Sequence, residues 1–393
     1  MNSRNLLVLA IALLMFPQIA QTLYSPALAD IGQAFGVGPQ AAGQTLSVYF
    51  LAFAFGVVVW GRVCDRIGRR PTMLVGLALY VGASILALQV STFNGLLMAQ
   101  ALAAFGAAVG SVVTQTLLRD RFQGAELAQV FSLMGIALAA SPALGLFSGA
   151  SLVHAFGYRG VLGCLLLLSL GLWLWCWRTL PETRPQHLTS ASLFETLRRM
   201  LQDRDIWRST LLVALFNIAL FSYYGLGPFM FERLGLSGQL FGYSGVILAL
   251  GSGLGAWLNK RLLRRGFTGL RLIRLAAGVA LLGGIGVWLL QDSGLFVLPM
   301  LLVVLAFGMA IPNILGSALA NYGDRLGTAG ALFGLLYYLL IGAGLMLVGW
   351  FQALGETLML CGALALLLVW RENTLKPRPV TQTLQAGIDE KNS

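Results

Sequence analysis

The sequence predicts an all-α membrane protein, with twelve transmembrane helices in two six-helix bundles. Three observations carry this prediction. First, 58% of the residues are hydrophobic and only 10% are charged, whereas a soluble domain carries about a quarter. Second, the apolar stretches are continuous and reach the roughly 20 residues needed to cross hydrocarbon as helix. Third, a polar interval over residues 180–208 separates six such stretches from six more. Lipid gives backbone groups no partners, which leaves helices or closed barrels. The stretches lack the period-two alternation of strands, so helices are expected.

The spans are expected at 5–28, 42–62, 72–90, 95–118, 127–152 and 159–177 in the first half. In the second half they are expected at 209–231, 240–258, 270–290, 294–318, 327–351 and 355–370. Arg4, the apolar run after it and "ALA" at Ala27–Ala29 resemble a secretory signal with its cleavage site. The run is longer than such a signal uses and eleven spans follow, so an uncleaved first helix is expected. The division is therefore 1–179, a linker 180–208, then 209–372 and a tail 373–393. Within the linker, "SLFETLRRML" reads as an amphipathic helix lying on the inner leaflet.

The net charge is +11. In a soluble protein that balance points to nucleic acid. Here the basic residues sit in short loops, with no stripe on one face. If the N-terminus is cytoplasmic, 24 of the 26 lysines and arginines fall inside, and only Arg159 and Arg233 fall outside. Both termini are then cytoplasmic, and the basic loops face anionic lipid headgroups. No nucleic-acid partner is expected.

The four cysteines and two histidines, His154 and His187, form no CxxC or Cys/His ligand spacing. Neither a metal nor a cofactor is expected, and no GxxxxGK[ST] loop for a nucleotide is present. An enzyme would need a cluster of His, Asp or Glu near one membrane face. None is visible, so the chain reads as a non-enzyme.

The loop after the second span, "GRVCDRIGRRP", concentrates charge between Gly61 and Pro71. Gly61 allows close helix approach and Gly68 allows a bend. Asp65 contributes nothing to a positive-inside loop, so it reads as a latch toward another helix. A partial echo, Gly255-x-x-x-Asn259-Lys260, follows the second span of the second half. Parallel six-helix repeats are a known transporter architecture.

Gly61-x-x-x-Asp65-Arg66-x-Gly68-Arg69-Arg70 resembles the loop 2–3 signature of the major facilitator superfamily. The resemblance implies alternating access between two bundles. It also implies a latch in which this loop meets the start of helix 11, here "DRLGTAGAL" from Asp324 to Leu332. "GIALAASPALGLFSGA" in span 5 is similar to the motif of the drug:proton antiporter branch, with Pro142, Gly145 and Gly149 in it and Ser141 where the motif usually has Gly. "LPETRP" after span 6 and "AQTLYSPALADI" in span 1 resemble the bicyclomycin-resistance/CflA subgroup. The resemblance covers essentially the whole chain. It implies a monomeric, multi-pass protein of the bacterial inner membrane that exports small molecules in exchange for protons.

Two departures stand out. Many relatives carry an arginine on helix 4 where Gln100 stands, and a carboxylate on helix 1 near Thr22. None of the fifteen acids falls in the middle of a span. Candidates for proton coupling are therefore Asp30 and Glu232 on the outer side and Asp120 on the inner side. The expected cavity is lined by Gln18, Gln21, Tyr24, Tyr49, Gln100, Asn217, Tyr224 and Tyr337, without a fixed charge. Amides, hydroxyls and rings suit apolar or amphipathic molecules. An exporter of a specific metabolite or sugar with the same fold is the alternative.

Overall fold

The computed structural model describes residues 3–184 and 192–370. His187 and the expected tail 373–393 lie outside the described residues. The first half comprises α1 (Ser3–Tyr24), α2 (Pro39–Ile67), α3 (Arg69–Gln89) and α4 (Phe93–Arg121). A helical run, Gly124–Thr179, follows and breaks at Gly157, with φ 64° and ψ −170°. That conformation needs glycine, and it divides the run into α5 (124–156) and α6 (158–179). The second half comprises α7 (Arg204–Arg233), α8 (Gly238–Arg264), α9 (Gly269–Leu290), α10 (Val297–Ala318), α11 (Leu326–Phe351) and α12 (Leu354–Trp370).

Ten helical stretches among the described residues are long and apolar enough to cross a membrane. One of them divides at Gly157 and the shorter Leu354–Trp370 adds another, which accounts for the twelve expected spans. The first span differs from expectation. Its helix gives way to a tight 3₁₀ turn at Ser25–Ala27 and resumes as a short helix, Leu28–Phe35. Pro26 lacks the N–H that would continue the α-helical ladder.

The packing of the first half recurs in the second. In the first, α1 packs on α4 and α5, α2 on α4, and α3 on α4 and α6. In the second, α7 packs on α10 and α11, α8 on α10, and α9 on α10 and α12. The halves meet through α2 with α11 and through α5 with α8. Gly255 permits the α8–α10 contact, because a Cβ there would fall 2.2 Å from the Leu305 carbonyl oxygen. Gly61 does not do the same on α2, since a Cβ there would meet its nearest atom at an ordinary 3.7 Å.

Large apolar side chains such as Leu167, Leu364 and Trp350 point outward. This is the arrangement of helices solvated by lipid. The linker helix Leu193–Gln202 buries Thr196 and Met200. It docks on the segment before α11 as well as presenting Phe194 outward. Glu195 pairs with Arg325 at 3.1 Å, and the Arg199 guanidinium lies 4.9 Å from the centre of the Tyr322 ring.

Candidate functional site

A cavity lies between the halves, in two lobes. One lobe, of about 370 Å³, is bounded by α1, α2, α4, α5, α10 and α11. Its polar groups come from Gln18, Ser111, Gln115, Thr116, Arg119, Tyr337 and Tyr338. The other, of about 280 Å³, is lined mainly by hydrocarbon and rings from α5, α7, α8 and α10, including Leu220, Phe221, Leu248 and Phe307. Asn217, Tyr224 and Ser252 are its polar members besides Gln18. Gln18 and Leu138 line both lobes, so the lobes join beneath α1 and α5.

Arg119 in the last turn of α4 and Gly327 in the first turn of α11 place the polar lobe toward the end of the bundle that carries the loop Gly61–Pro71. We call this the basic end. The far end is sealed between the halves. Ser25 Oγ donates to the Tyr224 carbonyl, and Gln33 Nε2 donates to Glu232 Oε1 at 3.0 Å. Gln44 Nε2 donates to the Met346 carbonyl at 3.4 Å. Leu46, Phe50 and Leu146 of the first half share one apolar cluster with Phe221, Phe241 and Ile341 of the second.

The expected cavity residues divide evenly. Gln18, Asn217, Tyr224 and Tyr337 line the lobes. Gln21, Tyr24, Tyr49 and Gln100 are buried and line neither. Tyr49 serves packing: its hydroxyl donates to the Pro17 carbonyl at 2.9 Å and its ring stacks on Phe53. Gln100 sits nearer the far-end start of α4 than the lining residues Ser111 to Arg119 do.

The expectation of an uncharged cavity is corrected by Arg119. Its signal was present in the sequence. Ser111, Gln115 and Arg119 recur every four residues, a polar stripe on one helix face. Gln115 Nε2 reaches Ser111 Oγ along it at 3.5 Å. Counting Arg119 only as a loop charge concealed it.

The expected latch also changes partners. Asp65 is half-exposed and its ion pair is with Arg69, one turn along, at 3.9 Å. The centre is Arg69, of which 1% is exposed. Its Nε and Nη2 donate to the two oxygens of Asp120 at 2.7 and 3.3 Å, and Nη1 donates to the Cys64 carbonyl at 3.3 Å. Asp120 also accepts from Thr183 Oγ1 at 3.1 Å. In this structure it is thus the counter-ion of Arg69.

Glu182, from "LPETRP", caps α3. Its carboxylate accepts the backbone N–H of Arg69 at 2.9 Å and of Arg70 at 3.1 Å. Burial raises the Glu182 carboxyl, but the backbone donors of Arg69, Arg184, Arg70 and Thr183 outweigh it and hold the group below the usual carboxylate range. Gly68 precedes this cap at φ +102°, and a Cβ there would collide with the same carboxylate. Arg70 Nη2 donates to the Trp177 carbonyl at 2.8 Å, while Arg66 is exposed.

The span 5 residues serve contact with α1. A Cβ at Gly145 would fall 1.9 Å from Thr22 Oγ1, and one at Gly149 would fall 2.4 Å from the Leu23 carbonyl oxygen. Thr22 is fully buried and donates to the Gln18 carbonyl at 2.8 Å. Ser141 donates to the Ala137 carbonyl at 3.0 Å, and Pro142 lines the apolar lobe. At the far end, Asp30 accepts the Tyr158 N–H beside the Gly157 break, which fixes the α5–α6 turn.

The family model described as "Major Facilitator Superfamily" matches residues 9–345. An uncharacterized transporter of Rickettsia bellii is 30% identical over 347 residues, which cover 84% of this chain and 86% of that protein. Multidrug resistance protein D of Escherichia coli is 29% identical over 349 residues, covering 87% of each. Among solved structures, a D-xylose-proton symporter superposes with a TM-score of 0.75 at 16% identity, over 93% of this chain and 97% of that one. At that identity the likeness concerns the fold.

Proposed function

We propose that this chain, which belongs to the Major Facilitator Superfamily, is a multidrug-type exporter of apolar and amphipathic small molecules. The observation that carries the reading is the two-lobed cavity between the halves, which reaches the basic end while the far end is sealed. A pocket that joins a hydrocarbon-lined lobe to a polar one fits molecules that combine both characters. The likeness to a multidrug resistance protein over 87% of the chain supports the same substrate class.

In this reading residues 1–179 and 209–372 are the two bundles, and the basic end faces the cytoplasm of a bacterial cell. The positive-inside distribution supports that orientation. The cavity then loads from the cytoplasmic side. Separation of Ser25 from Tyr224 and of Gln33 from Glu232 opens the far end for release. The protein works as a monomer. Proton exchange is the proposed energy source, with Asp30 and Glu232 as the far-end carboxylates to test.

The experiment is transport by purified protein in liposomes. A pH gradient is imposed and a trapped pH dye is read while lipophilic drugs are added. Drug-dependent proton movement is the expected result. Drug movement without proton movement would remove the exchange and keep the exporter, and no drug movement would remove the exporter.

A further inference from the structure

Arg119 is the one fixed charge that borders either lobe among the described residues. A guanidinium stays protonated at any physiological pH. Its described contact is the face of Phe131, 5.8 Å from the ring centre. The carboxylate nearest in sequence, Asp120, is committed to Arg69 at 2.7 Å. No described carboxylate lines the cavity. Arg119 is exposed at the end of α4, so it acts on an entering head group by the sign of its charge. The groups around it are neutral hydrogen-bonding side chains, Gln115, Thr116 and Tyr337. The adjoining lobe offers Phe221, Leu248, Phe307 and Ile311 but no cation and no anion.

We propose that the cavity prefers amphipathic organic anions, such as a carboxylate or sulfonate on an aromatic body. The anionic head pairs with Arg119 in the polar lobe, and the aromatic body passes Gln18 and Leu138 into the apolar lobe. The incoming anion carries the sign opposite to the one fixed charge among the described lining residues. A lipophilic cation of the same shape brings a second positive charge to the same place and is disfavoured. This inference rests on the exporter reading above and sharpens its substrate class.

The test uses the full chain in nanodiscs of zwitterionic phosphatidylcholine, with empty nanodiscs subtracted for partitioning. Three radiolabelled probes share one body: naphthalene-2-sulfonate, 2-naphthyltrimethylammonium and neutral 2-naphthamide. The wild type is expected to bind the sulfonate about three- to fivefold tighter than the ammonium, as an ion pair with an exposed guanidinium implies. Arg119→Gln is expected to erase that ratio, and Arg119→Lys to retain part of it. The lysine variant shows that loss of preference follows from charge and not from misfolding. A wild type that favours the ammonium, or an Arg119→Gln protein that keeps the sulfonate preference, would overturn the proposal. If the neutral probe also fails to bind the wild type, the exporter's cavity reading falls along with it.

Discussion

The loop after α2 and the loop after α8 occupy equivalent places in the two halves, yet they are fastened by opposite chemistry. In the first half a buried guanidinium, Arg69, is held by both oxygens of Asp120, and Glu182 caps the next helix. In the second half the polar contact beside the loop is neutral: Asn313 Nδ2 donates to Asn259 Oδ1 at 2.7 Å. Lys260, Arg261, Arg264 and Arg265 there lie outside the helix packing, exposed at the basic end. Arg69 opens α3, so the ionic contact holds the third helix of its half against the fourth, whereas the Asn259–Asn313 bond holds the second against the fourth. The ionic contact adds a link that the neutral one lacks, because Glu182 and Thr183 belong to the linker region. The first loop is thereby tied to the segment that joins the halves.

The comparison breaks most visibly at Asp120. Asp120→Asn leaves buried Arg69 with only the longer 3.9 Å ion pair to half-exposed Asp65, and removing one member of a buried pair costs about 3–5 kcal/mol. The variant's melting temperature in detergent or nanodiscs should fall further than that of any change at Asn259 or Asn313. Equal losses on the two sides would mean that the ionic character of the first loop is immaterial.

Glu182→Gln should cost less, about 1 kcal/mol for a weakened cap. Its pH dependence sharpens the comparison. The Glu182 carboxyl is held below its ordinary range in the folded protein. Its contribution is therefore present above the unfolded value and is lost as pH falls through the lowered folded value. The gap between wild type and Glu182→Gln should close on acidification, read as converging melting curves. A gap that persists in acid would assign the effect to shape and not charge. Asn259→Ala should show the smallest loss, about 1 kcal/mol or below for one neutral hydrogen bond, and no such convergence in acid.

Much of this was legible in the sequence, and the exceptions have physical causes. Helix number and order follow from hydrocarbon thickness, which acts on each span by itself. The bend at Pro26 is local, but its consequence, a short helix running to Phe35, is not. The latch motif identified the loop, and of its residues Arg69 is the charged one that is fully buried in this structure. Asp65 was conspicuous for its sign, whereas burial, a tertiary property, selects Arg69. Gln18 and Tyr337 were legible as polar residues in apolar spans, and so were Gln21 and Gln100. Which of them face the cavity depends on how each helix is rotated, and the second pair face protein. Arg119 was hidden for the converse reason. Its position at a helix end looked like a loop charge, although it completes a stripe with Ser111 and Gln115.

The central claim is that the cavity is served by alternating access, with the far end closed in this structure. The most direct measurement uses Gln33→Cys with Glu232→Cys, a pair whose native side chains touch across the halves at 3.0 Å. The double variant is reconstituted in liposomes and treated with a short, reducible bis-maleimide that spans the far end. Drug transport should stop on cross-linking and return on cleavage of the linker, while binding from the basic end persists. Undiminished transport by the cross-linked protein would show that the far end need not open, and the account would fail.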